Sequence, residues 1–260
     1  MDNGVINLSN TQLALTYILV GVVLFVTALD GINRKKEIII SILRMTVQLF
    51  IAGFVLVFIF DTDSFIFPLA MFLVMEFFAI FNVIKNVKTE IPQGLKKVIG
   101  FSIFCGTSIC LLFFLVVVVQ VKPFYSPQYL IPLGGMIIGN SMTGVNLALV
   151  TLLENLKNRK EHVEAALMLG ATPRDAMDDP IQVSFDTAFL PTLNSMKNMG
   201  IISLPGMMTG QILSGTSPMI AIKYQIAIMI AILASVCISV FMFLHLGYKN
   251  FFNTEDQLIY

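Results

Sequence analysis

Long apolar runs separated by short polar segments dominate this chain. Seven runs approach or exceed the length of a membrane-spanning helix, which needs about 20 mostly apolar residues. They cover residues 13–29, 38–60, 65–84, 99–121, 130–153, 180–204 and 219–246. The sixth run is the most polar, and hydropathy alone would reject it; its polar residues are Gln182, Asp186, Asn194, Lys197 and Asn198. The pattern predicts an all-α, polytopic integral membrane protein with about seven transmembrane helices in a single domain, residues 1–260.

Composition supports a membrane location. The 260 residues are 57% hydrophobic and 12% charged, with 22 Phe, 15 Met and no Trp. Soluble domains usually contain about 45–50% apolar and about 25% charged residues. The formal net charge is zero, so no excess of basic residues points to a nucleic-acid partner. We therefore expect the chain to lie in the lipid bilayer of the cell (plasma or inner) membrane.

Lysine and arginine residues are distributed unevenly among the connections between the runs. Three connections hold eleven of them, whereas the two connections between those hold one. The eleven are Arg34, Lys35, Lys36, Lys85, Lys88, Lys96, Lys97, Lys157, Arg159, Lys160 and Arg174. Because cytoplasmic loops are enriched in Lys and Arg, we expect these connections and the tail from Tyr248 inside, and the N-terminus outside.

The most distinctive polar segment follows the fifth run and reads Glu-Ala-Ala-Leu-Met-Leu-Gly-Ala-Thr-Pro-Arg over residues 164–174. A short helix of small residues can fit a groove on a partner, and Gly170 can end it because glycine tolerates left-handed backbone angles. Glu-Ala-Ala followed after three residues by Gly resembles the cytoplasmic coupling loop of ABC-transporter permeases, here about residues 154–179. The resemblance implies contacts with an ATPase through Glu164, Ala165, Ala166, Gly170, Ala171, Thr172, Pro173 and Arg174.

Further strings resemble one permease family. They lie at residues 139–142 (Gly-Asn-Ser-Met), 169–173, 202–210 (Ile-Ser-Leu-Pro-Gly-Met-Met-Thr-Gly) and 221–225 (Ala-Ile-Lys-Tyr-Gln). They are similar to the Fet-type permeases, the membrane subunits of a bacterial iron-export ABC transporter, with a plant branch associated with aluminium tolerance. The chain departs from the broader ABC pattern, which expects Ile-x-Leu-Pro after Gly170, because it reads Pro180-Ile181-Gln182-Val183 there. The Asp178-Asp179-Pro180 turn is also acidic for that position.

The resemblance implies a homodimer that pairs with two copies of a cytosolic ABC ATPase and exports iron or a related metal ion. The chain has no Gly-x-x-x-x-Gly-Lys-Ser/Thr phosphate-binding loop. We therefore expect it to be no enzyme and to bind no cofactor itself, with ATP and Mg on the ATPase. His162 and His245 form no paired metal site in this pattern. Two alternatives stay open: an importer permease for a small organic solute, and a membrane anchor or sensor that recruits the ATPase.

Glu76 is an ionisable residue inside the third run, and such groups within a membrane are candidates for function. One interpretation is a hard-cation ligand, which makes Glu76 the candidate metal-binding residue. The other is a structural ion pair with Arg44, because the two positions differ in depth by about 3 Å at 1.5 Å per residue. The structural pair is favoured over substrate contact.

Several other residues are candidates for the transport pathway: Asn140, Met142, Asn146, Asp186, Met207 and Met208. Gly135, Gly139, Met142 and Asn146 fall on one face of the fifth helix, where packing is favoured over a site. Met207 and Met208 follow a Pro-Gly break, and thioethers suit Cu(I) better than iron, so adaptable packing at a gate is favoured. Asp186 lies on a polar stripe that either lines a cavity or is the solvated cytoplasmic half of the sixth helix.

Overall fold

A computed structural model describes residues 6, 8–29, 34–62, 64–87 and 91–259 of the chain; Lys88 of the basic connections lies outside the described residues. The described part is all-α and contains no named strand, which confirms the predicted fold class. It divides into two compact units, one within Met1–Ser64 and Gly210–Ser217, the other within Phe65–Thr209 and Pro218–Tyr260.

The first unit contains helices α1 (Asn10–Thr16), α2 (Ile18–Leu29) and α3 (Lys35–Phe60). A capping box begins α1: the Ser9 side chain accepts from the Gln12 amide, and the Gln12 side chain accepts from the Ser9 amide at 2.8 Å. The Tyr17 hydroxyl is 2.6 Å from Thr46 Oγ1 on α3. Most of the other side chains of this unit are apolar and exposed, as suits helices that face lipid.

The second unit contains the remaining helices. They are α4 (Ile66–Asn86), α5 (Gln93–Phe113), which continues as a π-helical turn (Phe114–Val118), α6 (Pro127–Asn158), α7 (Lys160–Met168), α8 (Pro173–Ala176), α9 (Asp178–Asn198), the first half of α10 (Gly206–Leu213), and α11 (Pro218–Gly247). A 3₁₀ turn at Tyr248–Phe251 ends α11.

Helix α6 is the centre of the second unit, since it packs against α4, α5, α9 and α11. Its buried side chains include Leu149 and Leu152, both fully enclosed. On α11 the matching buried residues are Val236, Val240 and Phe243. The core is therefore the space between α6, α11 and α5, and the other helices cover its sides.

Individual contacts give the directions of α6, α9 and α11. Ser141 and Ser235 lie 2.8 Å apart, Oγ to Oγ, and a Cβ added to Gly144 would lie 2.8 Å from Val236 and 3.3 Å from Val240. Helices α6 and α11 therefore run the same way. Ala188 of α9 lies beside Gly144, whereas Met199 and Met136 line one cavity, so α9 runs the opposite way.

This arrangement explains the weak sixth run. Six helical segments of the described chain are long and apolar enough to cross a membrane, and α9 is not among them. Since α6 and α11 run in the same direction, the chain must return between them, and the 21 residues of α9 span about 32 Å at 1.5 Å per residue. We therefore expect α9 to cross the membrane. Hydropathy misses it because Gln182, Asp186, Asn194 and Lys197 are exposed along its outer face.

Glycine lets α5 and α11 approach closely. A Cβ added to Gly106 would collide with the Ser239 side chain and lie 3.0 Å from the Ser239 backbone nitrogen. Backbone cannot move aside as the end of a flexible side chain can. The contact between these two helices therefore depends on the missing side chain.

Replacing Gly106 with alanine should destabilise the protein by about 1–3 kcal/mol, the usual cost of overpacking a filled core. The matched control is Gly139→Ala on α6, where an added Cβ meets nothing within 4 Å. Thermal unfolding in detergent should show a lower Tm for Gly106→Ala alone. Equal Tm values for the two variants would contradict the close approach.

If α9 crosses in addition to the six apolar segments, the number of crossings is odd, and we predict that the two ends of the chain lie on opposite sides of the membrane. In a background with Cys105, Cys110 and Cys237 replaced, single cysteines at Ser9 and Asn253 should react with an impermeant thiol reagent from opposite sides of sealed vesicles. Reaction of both from the same side would mean that α9 does not cross.

Candidate translocation cavity and coupling element

Helix α6 leads directly into the segment that resembles a coupling loop. This helix has 32 residues and is about 48 Å long, against a hydrocarbon core of about 30 Å. Arg159 separates it from α7. At the tip of the segment, Met168 and Leu169 are 85% and 89% exposed. The segment thus presents exposed apolar side chains at its tip.

Gly170 ends α7 in a Schellman motif. The amide of Gly170 donates to the carbonyl of Leu167 at 3.0 Å, and the amide of Ala171 donates to the carbonyl of Ala166 at 3.0 Å. Gly170 has φ of +89°, a conformation that costs other residues energy. The predicted helix stop therefore has a defined geometry.

Thr172 starts the next helix two residues later. Its hydroxyl oxygen accepts from the Asp175 amide at 3.2 Å, and Pro173 occupies the first turn of α8. The sequence Gly-Ala-Thr-Pro is thus a helix stop followed directly by a helix start. In this predicted coupling set, Ala165, Gly170 and Thr172 are exposed, and the other members are half-buried: Glu164, Ala166, Ala171, Pro173 and Arg174.

Two ion pairs close the base of this segment. Arg159, at the end of α6, pairs with Asp179, and Arg174 Nη2 lies 3.7 Å from Asp178 Oδ1. Both aspartates lie in the first turn of α9, where their negative charge also interacts favourably with the helix dipole. The acidic turn that departs from the broader ABC pattern therefore has a structural use, which is to hold α6, α8 and α9 together.

A cavity of about 220 Å³ lies between α6, α9 and α11. It is lined by Met136, Asn140, Thr143, Gly144, Leu147, Ala188, Pro191, Thr192, Ser195, Met199, Pro205, Gln225, Met229 and Ile232. None of these described residues carries a formal charge, and five have polar side chains. The cavity opens at the surface of the second unit, since the lining residues Asn140, Thr143 and Ser195 are exposed. Its polar lining can hold water or a polar solute.

Gln225 is the most buried polar residue of the cavity wall, with 3% of its surface exposed. Its Nε2 donates to Met199 Sδ at 3.8 Å, while its Oε1 has no hydrogen-bond partner among the described residues. An unsatisfied buried acceptor costs about 1–3 kcal/mol, so a solute or water that donates to it is stabilised. Gln225 belongs to a string that carried the family resemblance, but only the fold shows that it faces the cavity.

The predicted pathway residues separate into different places. Asn140 lines the cavity, whereas Met142, Asn146 and Asp186 are not part of its lining. Asp186 is exposed on α9. On the face predicted to pack, a Cβ at Gly135 would lie 2.9 Å from Met75 Cε of α4.

The predicted gate residues lie at the start of α10. Met207 and Met208 follow Pro205, which lines the cavity, and Met208 is 8% exposed. Met207 packs on the apolar core, and neither side chain is part of the cavity lining. Their predicted role as adaptable packing at a gate stays a prediction.

Glu76 is 2% exposed and is hydrogen-bonded to the hydroxyl of Thr107 on α5. Its second oxygen, Oε2, has no hydrogen-bond partner among the described residues. Arg44 belongs to the other unit, so the predicted ion pair stays a prediction. The described residues contain no group of three or more His, Cys, Asp or Glu side chains arranged to hold a metal ion, and Glu76 as a metal ligand also stays a prediction.

Comparisons with known proteins cover nearly the whole chain. Residues 10–252 match the model of a family described as "Uncharacterised protein family (UPF0014)". The chain is 33% identical to the "Probable iron export permease protein FetB" of Escherichia coli K12 over 97% of this chain and 96% of that protein. It is 36% identical to "Protein ALUMINUM SENSITIVE 3" of Arabidopsis thaliana over 94% of this chain and 87% of that protein. It is 35% identical to "UPF0014 membrane protein YjkA" of Bacillus subtilis over 95% of this chain and 97% of that protein. No solved structure matches the chain.

The polar lining predicts that the cavity admits water. In the cysteine-free background, Asn140→Cys should react with a small charged thiol reagent, because water ionises the thiol and carries the reagent. The control is Ile226→Cys on α11, at a position that is apolar and 58% exposed on the outer surface of the bundle. Equal labelling at the two positions, or none at Asn140→Cys, would contradict a wet cavity.

Proposed function

The chain belongs to the UPF0014 family, and on that premise we propose that it is the permease subunit of an ABC transporter that exports iron or a related metal species. The observation that carries the proposal is the α7–α8 segment, hereafter the coupling element (residues 160–176). It combines a short helix, a Schellman stop and an immediate restart beyond the end of α6. A partner ATPase that closes on ATP can push on such an element.

The exposed tip of the coupling element suits a protein partner. Met168 and Leu169 are exposed apolar side chains within a polar segment, and exposed apolar side chains at such a place favour a protein contact. The element is joined to α6 and α9 through the backbone, and one ion pair, Arg174–Asp178, adds a contact to α9, while Arg159–Asp179 joins α6 to α9. Force applied at the tip therefore reaches two walls of the cavity. ATP and Mg bind on the ATPase in this proposal, and the permease contributes no catalytic residue.

The outer face of α9 supports a homodimer. Gln182, Asp186, Asn194 and Lys197 are exposed along one side of this crossing helix. Polar and charged side chains are costly against hydrocarbon and usually face the interior of a bundle or a water-filled cavity. A second copy of the chain, bringing its own ATPase, would enclose this stripe and complete a polar path beside the Asn140 cavity.

The substrate and orientation in the proposal come from other sources. Iron comes from the name of the Escherichia coli relative, and the distribution of Lys and Arg places the coupling element in the cytoplasm and the N-terminus outside. The cavity wall contributes neutral oxygen and thioether donors. These suit a partly hydrated or chelated metal species better than a bare highly charged cation, since no opposite charge lines the cavity.

Substituting Gly170 tests the coupling element directly. Gly170→Val should disrupt the turn, because φ of +89° strains a β-branched residue by about 1–3 kcal/mol. Gly170→Asn is the matched control, since Asn tolerates this conformation. Both variants should insert, but only Gly170→Val should lose ATPase co-purification and the stimulation of ATP hydrolysis.

The ATPase for this test is a candidate ABC ATPase from the same organism, co-expressed with the permease and purified in detergent. If Gly170→Val stimulated ATP hydrolysis as strongly as the wild-type permease, the assignment of the coupling element would be wrong. Absence of any association with the wild-type permease would remove the proposed function itself.

A further inference from the structure

Arg174 connects the coupling element with the end of α11. Its Nη2 lies 3.1 Å from Nε2 of His245, and its guanidinium carbon lies 5.7 Å from the centre of the Tyr248 ring. The same nitrogen is 3.7 Å from Asp178 Oδ1. One half-buried side chain thus contacts the last turn of α11, the turn that follows it, and the first turn of α9.

His245 is held in one tautomer by this arrangement. A guanidinium has donors only, so Nε2 of His245 accepts from Arg174. Nδ1 lies 3.1 Å from the carbonyl oxygen of Phe241, so it carries the proton and donates. The imidazole also stacks on the Phe241 ring, with centroids 3.9 Å apart. Both ring nitrogens and the ring face are engaged, which fixes the side chain against α11.

The contact matters because α11 has no short covalent connection to the coupling element. Helix α6 ends where α7 begins, and α9 begins where α8 ends. Helices α6 and α9 are therefore joined to the coupling element directly through the backbone and move with it. Between the element and α11 lie α9, α10 and their connections. Among the described residues, the hydrogen bond from Arg174 to His245 joins them directly.

Helix α11 in turn forms the third wall of the cavity. Gln225, Met229 and Ile232 line it, and α11 is continuous from Pro218 to Gly247. The distance along the helix from His245 to Gln225 is about 30 Å at 1.5 Å per residue. A displacement of the last turn of this stiff helix therefore moves the cavity wall.

We infer that Arg174, His245 and Tyr248 form a joint through which the coupling element moves α11. His245 is a positioning residue for transport in this scheme: it contacts neither substrate nor nucleotide. The inference rests on the proposed function, since the movement is the one that a partner ATPase would drive. It assigns a role to His245, which sequence patterns leave without one.

The test uses His245→Leu, which removes the acceptor, and His245→Gln, whose amide oxygen restores one near the position of Nε2. Each full-length permease is co-purified with its ATPase and reconstituted into vesicles, and ATP-driven Fe²⁺ transport is measured per ATP hydrolysed. Both variants should bind the ATPase like the wild type. His245→Leu should lower transport per ATP by about tenfold, the effect expected for losing a hydrogen bond to a charged group, and His245→Gln should recover most of it.

A double-mutant cycle on the isolated permease tests the contact without the ATPase. Arg174→Leu, His245→Leu and the double variant should shift Tm non-additively, because the residues share one interaction. Additive shifts would overturn the joint. So would a non-additive cycle combined with unchanged transport per ATP in His245→Leu, since the contact would then be merely structural. Failure of the wild-type permease to bind any ATPase, with a non-additive cycle, would instead remove the proposed function and the transmitting role that depends on it.

Discussion

Ser141 of α6 and Ser235 of α11 lie 2.8 Å apart near the centre of the second unit, and beside them Gly144 lets Val236 reach the surface of α6. This contact fixes the two helices in the same direction. Once they run in parallel, the chain between them has to return through the bundle. The position of α9, the cavity that it closes and the coupling element at its start all follow from that constraint.

The same constraint explains where polar groups occur. In hydrocarbon the backbone N–H and C=O groups can form hydrogen bonds only with one another, so every crossing segment is helical. Polar side chains in these segments then occur where protein or water covers them. Gln225 and Asn140 face the cavity, and Glu76 is enclosed beside Thr107. At the end of α9 that leaves the membrane, Asp178 and Asp179 pair with arginines and close the base of the coupling element.

Local features of the structure could be predicted from the sequence, whereas contacts between distant residues could not. The apolar runs predict the crossing helices because burial in lipid demands continuous apolar sequence, and Gly170 with Thr172 predicts a helix stop and start within a few residues. The sixth run is harder to recognise as a crossing helix, since α9 carries exposed polar residues along its outer face. Asn140 lines the cavity, whereas Met142 and Asn146 do not, because at about 100° per residue they lie about 160° and about 120° from Asn140 around α6. The roles of His245 and Gln225 depend on contacts that only the fold shows. Arg174, for example, lies 71 positions from His245 in the sequence.

ATP-driven transport by the reconstituted permease and ATPase tests the central claim most directly. With the ATPase on the outer surface of the vesicles, ATP added outside should drive accumulation of Fe²⁺ in the lumen, and the accumulation should need both subunits. Accumulation that is independent of ATP, or ATP-driven loss of Fe²⁺ from preloaded vesicles, would contradict an ATP-driven exporter of this metal.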